Sequence, residues 1–355
     1  MTAAADNGLV FKRKQTPAAV VGLELDPSYA AAAVTRTNGT ISLERGAVAL
    51  LRPGVLRDGE ATDPVALADT LRTLFSENDL PTRVRLGIAN QRIVVRSIDV
   101  PLVHGRDELE SVVRAVVQDH IPMPMDEAVL DFQPLGEVET PEGPRMRVLV
   151  AAVRREMVER LHAACDAAGL SVEGVDLSAF AMIRAVPAGT ITGGTLFVSA
   201  AGLVNVAVAD ESGCLFTRAA PGGLEAIATG LAERRGLTLE HAHQWMRHVG
   251  LQVDLAEVEG DAELVAATRS ALDEGVHQLA DTVRNSLNFY RMQQSAEPVD
   301  HGVVVGPLVA IPGFVAGLSA QLDLPLEPVL LPSADGEADA SRLTVAAGLG
   351  AEERA

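Results

Sequence analysis

Two stretches of the chain carry the same succession of apolar and polar positions. From Val20 to Ala49 an apolar run, VVGLEL, gives way to Asp26-Pro27-Ser28, then to an alanine-rich run, then to Asn38-Gly39, and then to a third run. Three short antiparallel strands joined by two turns fit this pattern, and an Asn-Gly pair tolerates the positive φ angles of a tight hairpin. From Thr195 to Ala219 the plan recurs: LFVSA, a turn at Ala201-Gly202, VNVAVA, a turn at Ser212-Gly213, and CLFTRA. Aligning Gly39 with Gly213 sets the copies about half the chain apart. That period is too long for a solenoid and suits two similar domains framing one cleft.

Between the copies, Val65, Leu67, Ala68, Leu71 and Leu74 fall at helical spacing and predict a helix over Val65 to Glu77, followed by a strand from Val84 to Ala89. At Gln91 the texture changes. A strand, RIVVRSIDVP, precedes a helix from Arg106 to Asp119 that must end before Pro122; a Gly/Pro/Glu loop, Gly136 to Pro144, then leads into the strand MRVLVAAV. A helix from Glu156 to Ala168 ends at Gly169, where a C-terminal cap belongs. This β-α-β-β-α block, Gln91 to Asp176, reads as a compact module inserted into the first domain. Beyond the second meander, Gly222-Gly223 open a helix from Leu224 to Arg235, with further helices over Leu239 to Val249 and Asp261 to Gln294. In the last of these, Val276, Leu279, Val283, Leu287 and Tyr290 form one stripe. A strand, GVVVG, and helices over Val315 to Gln321 and Ser341 to Leu349 complete the pattern. The expected organisation is a tail (1–17), a first lobe (18–90), the module (91–176), a return to the first lobe (177–192), a second lobe (193–350) with a helical subdomain at about 224–298, and a tail (351–355).

Composition narrows the function. Hydrophobic residues make up 48% and aromatics 3% of 355 residues, so the core must be packed from Ala, Val and Leu. A formal charge of −19 excludes a nucleic-acid partner, since duplex binding needs basic clusters that displace counterions. The two lysines, Lys12 and Lys14, lie in the N-terminal tail, which removes Lys from any catalytic or phosphate-gripping role inside the fold. Cys165 and Cys214 match no metal-ligand or disulfide spacing and point to a reducing compartment. No segment approaches the roughly 20 apolar residues of a membrane span, so direct membrane insertion is not expected. The Phe11-Lys12-Arg13-Lys14 run carries too few charges for more than weak attraction to an anionic membrane.

Four segments carry a resemblance: HIPMPMDEAVLDFQ (His120 to Gln133), VLVAAVRREMVERLHAACDAAGLSVEGVDL (Val148 to Leu177), RNSLNFYRMQ (Arg284 to Gln293) and TVAAGLG (Thr344 to Gly350). Together they make the chain similar, from Ala18 to Gly350, to PilM, the cytoplasmic actin-like family of type IV pilus assembly, which is related to FtsA. The resemblance implies an α/β, actin-like two-lobed fold with the module on the first lobe, and meanders that form phosphate-facing hairpins. It implies a cytoplasmic protein held beside the inner membrane through a partner, the cytoplasmic tail of a PilN-like inner-membrane protein. The pilus assembly ATPase complex and self-association are further partners in view.

ATP with Mg²⁺ is the cofactor that the resemblance implies, and its chemistry needs Gly-rich turns to receive phosphate oxygens and carboxylates to hold the metal's waters. The family's Asp-x-Gly in the first hairpin reads Glu24-Leu25-Asp26-Pro27-Ser28 here, with Glu24 at the acid and Asp26 at the glycine; Pro27 also removes an N–H donor. The second Asp-x-Gly reads Ser199-Ala200-Ala201-Gly202, without the acid. The adenosine motif reads Gly306-Pro307-Leu308-Val309-Ala310-Ile311-Pro312-Gly313, with bulky residues where the backbone should be bare. Gly222-Gly223 survives at a helix N-terminus, either as an anion site or as a tight turn. Glu24, Asp26, Ser28, Ser199, Gly202, Gly222, Gly223 and Gly306 are thus the candidate nucleotide residues, and the changed turns predict ATP binding that is weak or absent.

His241, His243 and His248 lack the spacing that would put ligands on one helix face. No G-x-S-x-G elbow occurs. Trp245 and Met246 read as core or interface, and the acid pairs Glu139/Glu142 and Glu257/Glu259 as solvated loop. The expected function is a non-catalytic pilus scaffold. The alternatives are an active ATPase or sugar-kinase-like enzyme, disfavoured by Ser199 and the missing internal Lys, and an FtsA-like tether, disfavoured by a C-terminus, AAGLGAEERA, without an apolar face.

Overall fold

The computed structural model describes residues 19–38, 40–103, 105–141, 143–293, 296–332 and 340–351. The N-terminal tail with its Phe11 to Lys14 run, Gly39, Glu142, Gln294 and the C-terminal residues from 352 lie outside the described residues.

The first meander forms as three strands, β1 (Val21–Asp26), β2 (Tyr29–Asn38) and β3 (Thr40–Leu50). Asp26 pairs with Tyr29 across a two-residue turn, Pro27-Ser28. Ala30 to Ala33 of β2 are all fully buried, because the strand is covered on both faces and only methyl groups fit. A small hairpin, β4 (Leu56–Arg57) and β5 (Glu60–Ala61), leads to α1 (Pro64–Glu77). Asp63 caps this helix by accepting the Ala66 N–H at 3.0 Å, and Pro64 occupies its first position, where no N–H is needed. Leu67, Leu71, Leu74 and Phe75 are buried in the first-lobe core, whereas Val65, counted in the apolar stripe, is 71% exposed in the first turn of the helix. Strand β6 (Arg83–Ile88) then pairs parallel to β1.

The inserted unit comprises β7 (Val94–Pro101), α2 (Arg106–Val117), β8 (Ala128–Thr140) and β9 (Gly143–Arg154), in sheet order β7-β9-β8. Its separate core contains Ile98, Val100, Val113, Val117, Val148 and Val150. Gly136 to Pro144, expected as a loop, is mostly strand: β8 continues past a bulge between Pro134 and Gly136, and Thr140 pairs with Gly143. The next two elements leave the unit. Helix α3 (Arg155–Ala167) puts Met157, Leu161 and Cys165 into the first-lobe core, and strand β10 (Ser171–Leu177) pairs parallel to β6. The boundary drawn at Asp176 therefore moves to Arg154, since helical periodicity defines an apolar face without saying which core receives it. The first-lobe sheet runs β10-β6-β1-β2-β3.

After α4 (Ser178–Ala185), the second meander gives β11 (Gly194–Ala200), β12 (Leu203–Asp210) and β13 (Gly213–Pro221). Helices α5 (Leu224–Arg235), α6 (Leu239–Val249) and α7 (Ala262–Arg291) follow, with the stripe from Val276 to Tyr290 buried as its spacing requires. Strand β14 (Val299–Val305), helix α8 (Phe314–Leu322), strand β15 (Leu326–Pro328) and helix α9 (Thr344–Gly350) close the chain. The sheet order β13-β12-β11-β14-β15 reproduces β3-β2-β1-β6-β10 strand for strand, antiparallel in the meander and parallel beyond it.

Helices α4 and α9 join the lobes. Ala181 and Met182 of α4 share a core with Phe197, Ala207 and Val303 of the second sheet, and with Val345 and Leu349 of α9. On its other side α9 rests on β1: a Cβ at Gly22 would lie 1.8 Å from the Ala346 carbonyl oxygen, so the strand must carry glycine there. The Arg184 guanidinium reaches both the Asp176 carboxylate and the Gly348 carbonyl, tying α4, β10 and α9 together.

Candidate functional site

The β1–β2 turn of the first lobe meets the β11–β12 turn of the second. Asp26, buried at the tip of β1, accepts four hydrogen bonds. Its Oδ1 receives the Ser28 N–H at 2.9 Å, the Ser28 hydroxyl at 2.5 Å and the Gly202 N–H at 2.8 Å, and its Oδ2 receives the Leu203 N–H at 3.2 Å. Gly202 has no room for a side chain, since a Cβ would sit 2.6 Å from Asp26 Oδ1. Ser199 lies on β11 beside the strand-to-turn corner at Gly306, where a Cβ would meet its Oγ at 2.7 Å. Gly222 and Gly223 both take positive φ, at 108° and 92°. A Cβ on Gly223 would press within 2.6 Å of the Ala201 carbonyl, which also accepts the Glu225 N–H at the start of α5. The pair thus works here as a tight strand-to-helix turn. Asp26 and Ser28 meet Gly202, Gly223 backs the same turn through Ala201, Ser199 and Gly306 meet each other, and Gly222 faces open space.

Glu24 stands beside them, buried, with Tyr29 Oη 3.4 Å from its Oε2. Burial first, and then the negative charge of Asp26, push the Glu24 carboxyl well above its usual range, with the Tyr29 hydrogen bond acting the other way. Asp26 is also raised by burial, and its four donors oppose that shift. Of the pair, Glu24 is raised the more strongly, because Asp26 has four donors to stabilise its charge and Glu24 has only the Tyr29 hydroxyl.

Arg342 and Glu225 escaped the sequence reading, and His243 was read there without a partner. The Arg342 guanidinium lies 5.7 Å from the centre of the Tyr29 ring, a cation–π distance. His243 Nε2 stands 3.2 Å from Glu225 Oε2, bridging α6 to α5. His243 and Arg342, with Leu224, Met246 and Ile311, line a recess of about 10 Å³, too small for more than one water. Each is single in sequence, and no spacing rule links positions that meet only through the fold. His248 instead bonds the Glu259 carbonyl at 2.7 Å, so the three histidines do not gather. Among the described residues, no group of three His, Cys, Asp or Glu is placed to hold a metal ion.

A second concavity, about 890 Å³, opens between the inserted unit and the second lobe. One wall is β7, the edge of the three-stranded sheet, and the other is β13, the edge of the second-lobe sheet. Ile93, Val95, Phe216 and Phe289 supply apolar surface, with the two aromatic rings 6.1 Å apart. Arg147 grips Asp99 through two bonds, at 2.8 and 3.0 Å, and holds that carboxyl below its usual range. Phe289 is 52% exposed and Met292, one turn on, 83%. Among the described residues no helix is long and apolar enough to cross a membrane.

Two lobes of repeated five-stranded topology, closed on each other through α4 and α9, define an actin-like fold. The chain belongs to the family of type IV pilus assembly protein PilM, whose model matches residues 27–341. It is similar to the solved PilM-PilN type IV pilus biogenesis complex, at 26% identity and a TM-score of 0.75, over 94% of this chain and 98% of that one. The fold is shared with the ethanolamine utilization protein EutJ from Carboxydothermus hydrogenoformans (16% identity, TM-score 0.54, 94% and 90% covered). It is shared too with MreB5 of Spiroplasma citri bound to ADP (13%, 0.52, 94% and 95%).

Proposed function

We propose that this protein is a cytoplasmic scaffold of the pilus assembly machinery, holding the cytoplasmic tail of a PilN-like inner-membrane protein and binding nucleotide weakly or not at all. The observation that carries the reading is the groove between β7 and β13. Two edge strands lining one groove beside the Phe216 and Phe289 rings suit an extended segment that adds main-chain hydrogen bonds while its alternate side chains enter apolar pockets. The Arg147–Asp99 pair stiffens one wall, which lowers the ordering cost of binding. Support also comes from the similar PilM structure, which was solved with PilN.

The nucleotide part of the proposal rests on the other concavity. A recess of about 10 Å³ leaves no space for a nucleoside, and a carboxylate already sits where phosphate oxygens would be received. Calorimetry of the full chain with a peptide copying the tail of the PilN-like protein from the same organism should give a micromolar Kd, about −8 kcal/mol. Absence of binding overturns the reading. Undiminished binding to Phe289→Asp overturns the groove assignment.

A further inference from the structure

One carboxylate collects hydrogen bonds from both lobes. Two donors on Asp26 come from its own turn, the Ser28 N–H and hydroxyl, and two come from across the cleft, the Gly202 and Leu203 N–H groups. Successive backbone N–H groups in a tight turn form a concavity that receives anion oxygens. Here the anion belongs to the chain itself. Packing agrees with this arrangement, because Gly202 is denied a side chain by Asp26 Oδ1 at 2.6 Å and by Pro27 Cβ at 2.9 Å. The turn is bare so that the carboxylate can lie against its backbone. Burial adds to it, since Asp26 is 5% exposed and water competes poorly for the donors.

We propose that the facing turns form a site for a phosphate or pyrophosphate group which Asp26 occupies from within, so that this side chain closes the two lobes on each other in place of a bound anion. The proposal deepens the nucleotide part of the reading above and is independent of the tail groove. An external phosphate can take the Gly202 and Leu203 donors only by displacing Asp26, which is buried, tethered and already satisfied. Removing the carboxylate vacates the site while leaving its donors in place.

The test is hydrogen exchange at Gly202 and Leu203 in the full chain, with and without millimolar inorganic pyrophosphate, in wild type, Asp26→Ala and Asp26→Asn. Exchange is expected to accelerate about tenfold or more in Asp26→Ala, as expected for loss of a local closing contact. Pyrophosphate should restore that protection and leave the wild type unmoved. Asp26→Asn, which keeps the shape and one carbonyl acceptor, should fold and exchange at an intermediate rate. Unchanged exchange in both variants overturns the proposal, as does an Asp26→Ala chain indifferent to pyrophosphate. Should Asp26→Ala fail to fold, Asp26→Asn decides: wild-type exchange there overturns the closure. A wild-type chain that does not bind the tail peptide would sink the scaffold reading and leave these outcomes untouched.

Discussion

The interlobe cleft and the groove between β7 and β13 are built in opposite ways. In the interlobe cleft, glycines at 202, 223 and 306 are used to bring protein against protein, and what would be binding volume is filled by Asp26, by carbonyl oxygens and by Ser199. In the groove between β7 and β13, sheet edges are left facing a space of about 890 Å³, with Phe289 standing half-exposed above it. Bare backbone therefore marks closure in the first place, and edge strands mark capacity in the second. Glycine content alone does not distinguish a ligand cradle from a packed contact; what the missing Cβ would touch does.

The largest effect is expected on the closed side. Gly22→Ala drives a methyl group into the α9 backbone at Ala346 and should cost about 3 kcal/mol or more in a urea titration. A loss below about 1 kcal/mol would mean that α9 can retreat from β1 and that the lobes are joined more loosely than described. On the open side, Phe289→Asp should weaken tail-peptide binding about tenfold to a hundredfold, roughly 1.4 to 2.7 kcal/mol, with little change in stability because the ring is half-exposed.

Nucleotide affinity sharpens the contrast further. Calorimetry with ATP and Mg²⁺ should give no constant tighter than about 100 μM, or about −5.5 kcal/mol. A low-micromolar constant lost in Glu24→Ala would show that the cleft opens in solution and would break the comparison. The smallest effect concerns pH. Burial raises the Glu24 carboxyl well above the ordinary carboxyl value of 4.5, so between that value and the raised one the folded state binds more protons than the unfolded chain. Stability should therefore fall as pH rises from about that value toward the raised one, with Asp26, Tyr29 and Arg342 as the ionisable groups beside Glu24. Glu24→Gln should flatten this slope and stabilise the chain at the upper end; an unchanged profile would mean that Glu24 is ionised in the fold.

The duplicated meander was open to a reading of the sequence because strand patterning is local. Side chains alternate across a strand, and the turns at Asp26-Pro27-Ser28, Ala201-Gly202 and Ser212-Gly213 announce themselves by residue type. The stripe on α7 was legible for the same reason. Strand β15 was not, being three residues long, nor was β10, whose SVEGVDL lacks a continuous apolar run, and the Gly136 to Pro144 stretch was misjudged because a bulge lets Gly and Pro remain in a hairpin.

For the cleft, the sequence by itself determined which residues depart from a nucleotide-binding pattern: an acid at Asp26, no acid at Ser199, bulky side chains after Gly306. Each of those is a statement about one short segment. Only the tertiary structure decided that Asp26 reaches across to Gly202 and Leu203, that α3 joins the first lobe rather than the inserted unit, and that β7 and β13 face each other. Those outcomes depend on surfaces separated by up to 177 residues coming together, and hydrophobic periodicity carries no information about which of several compatible surfaces an element will meet.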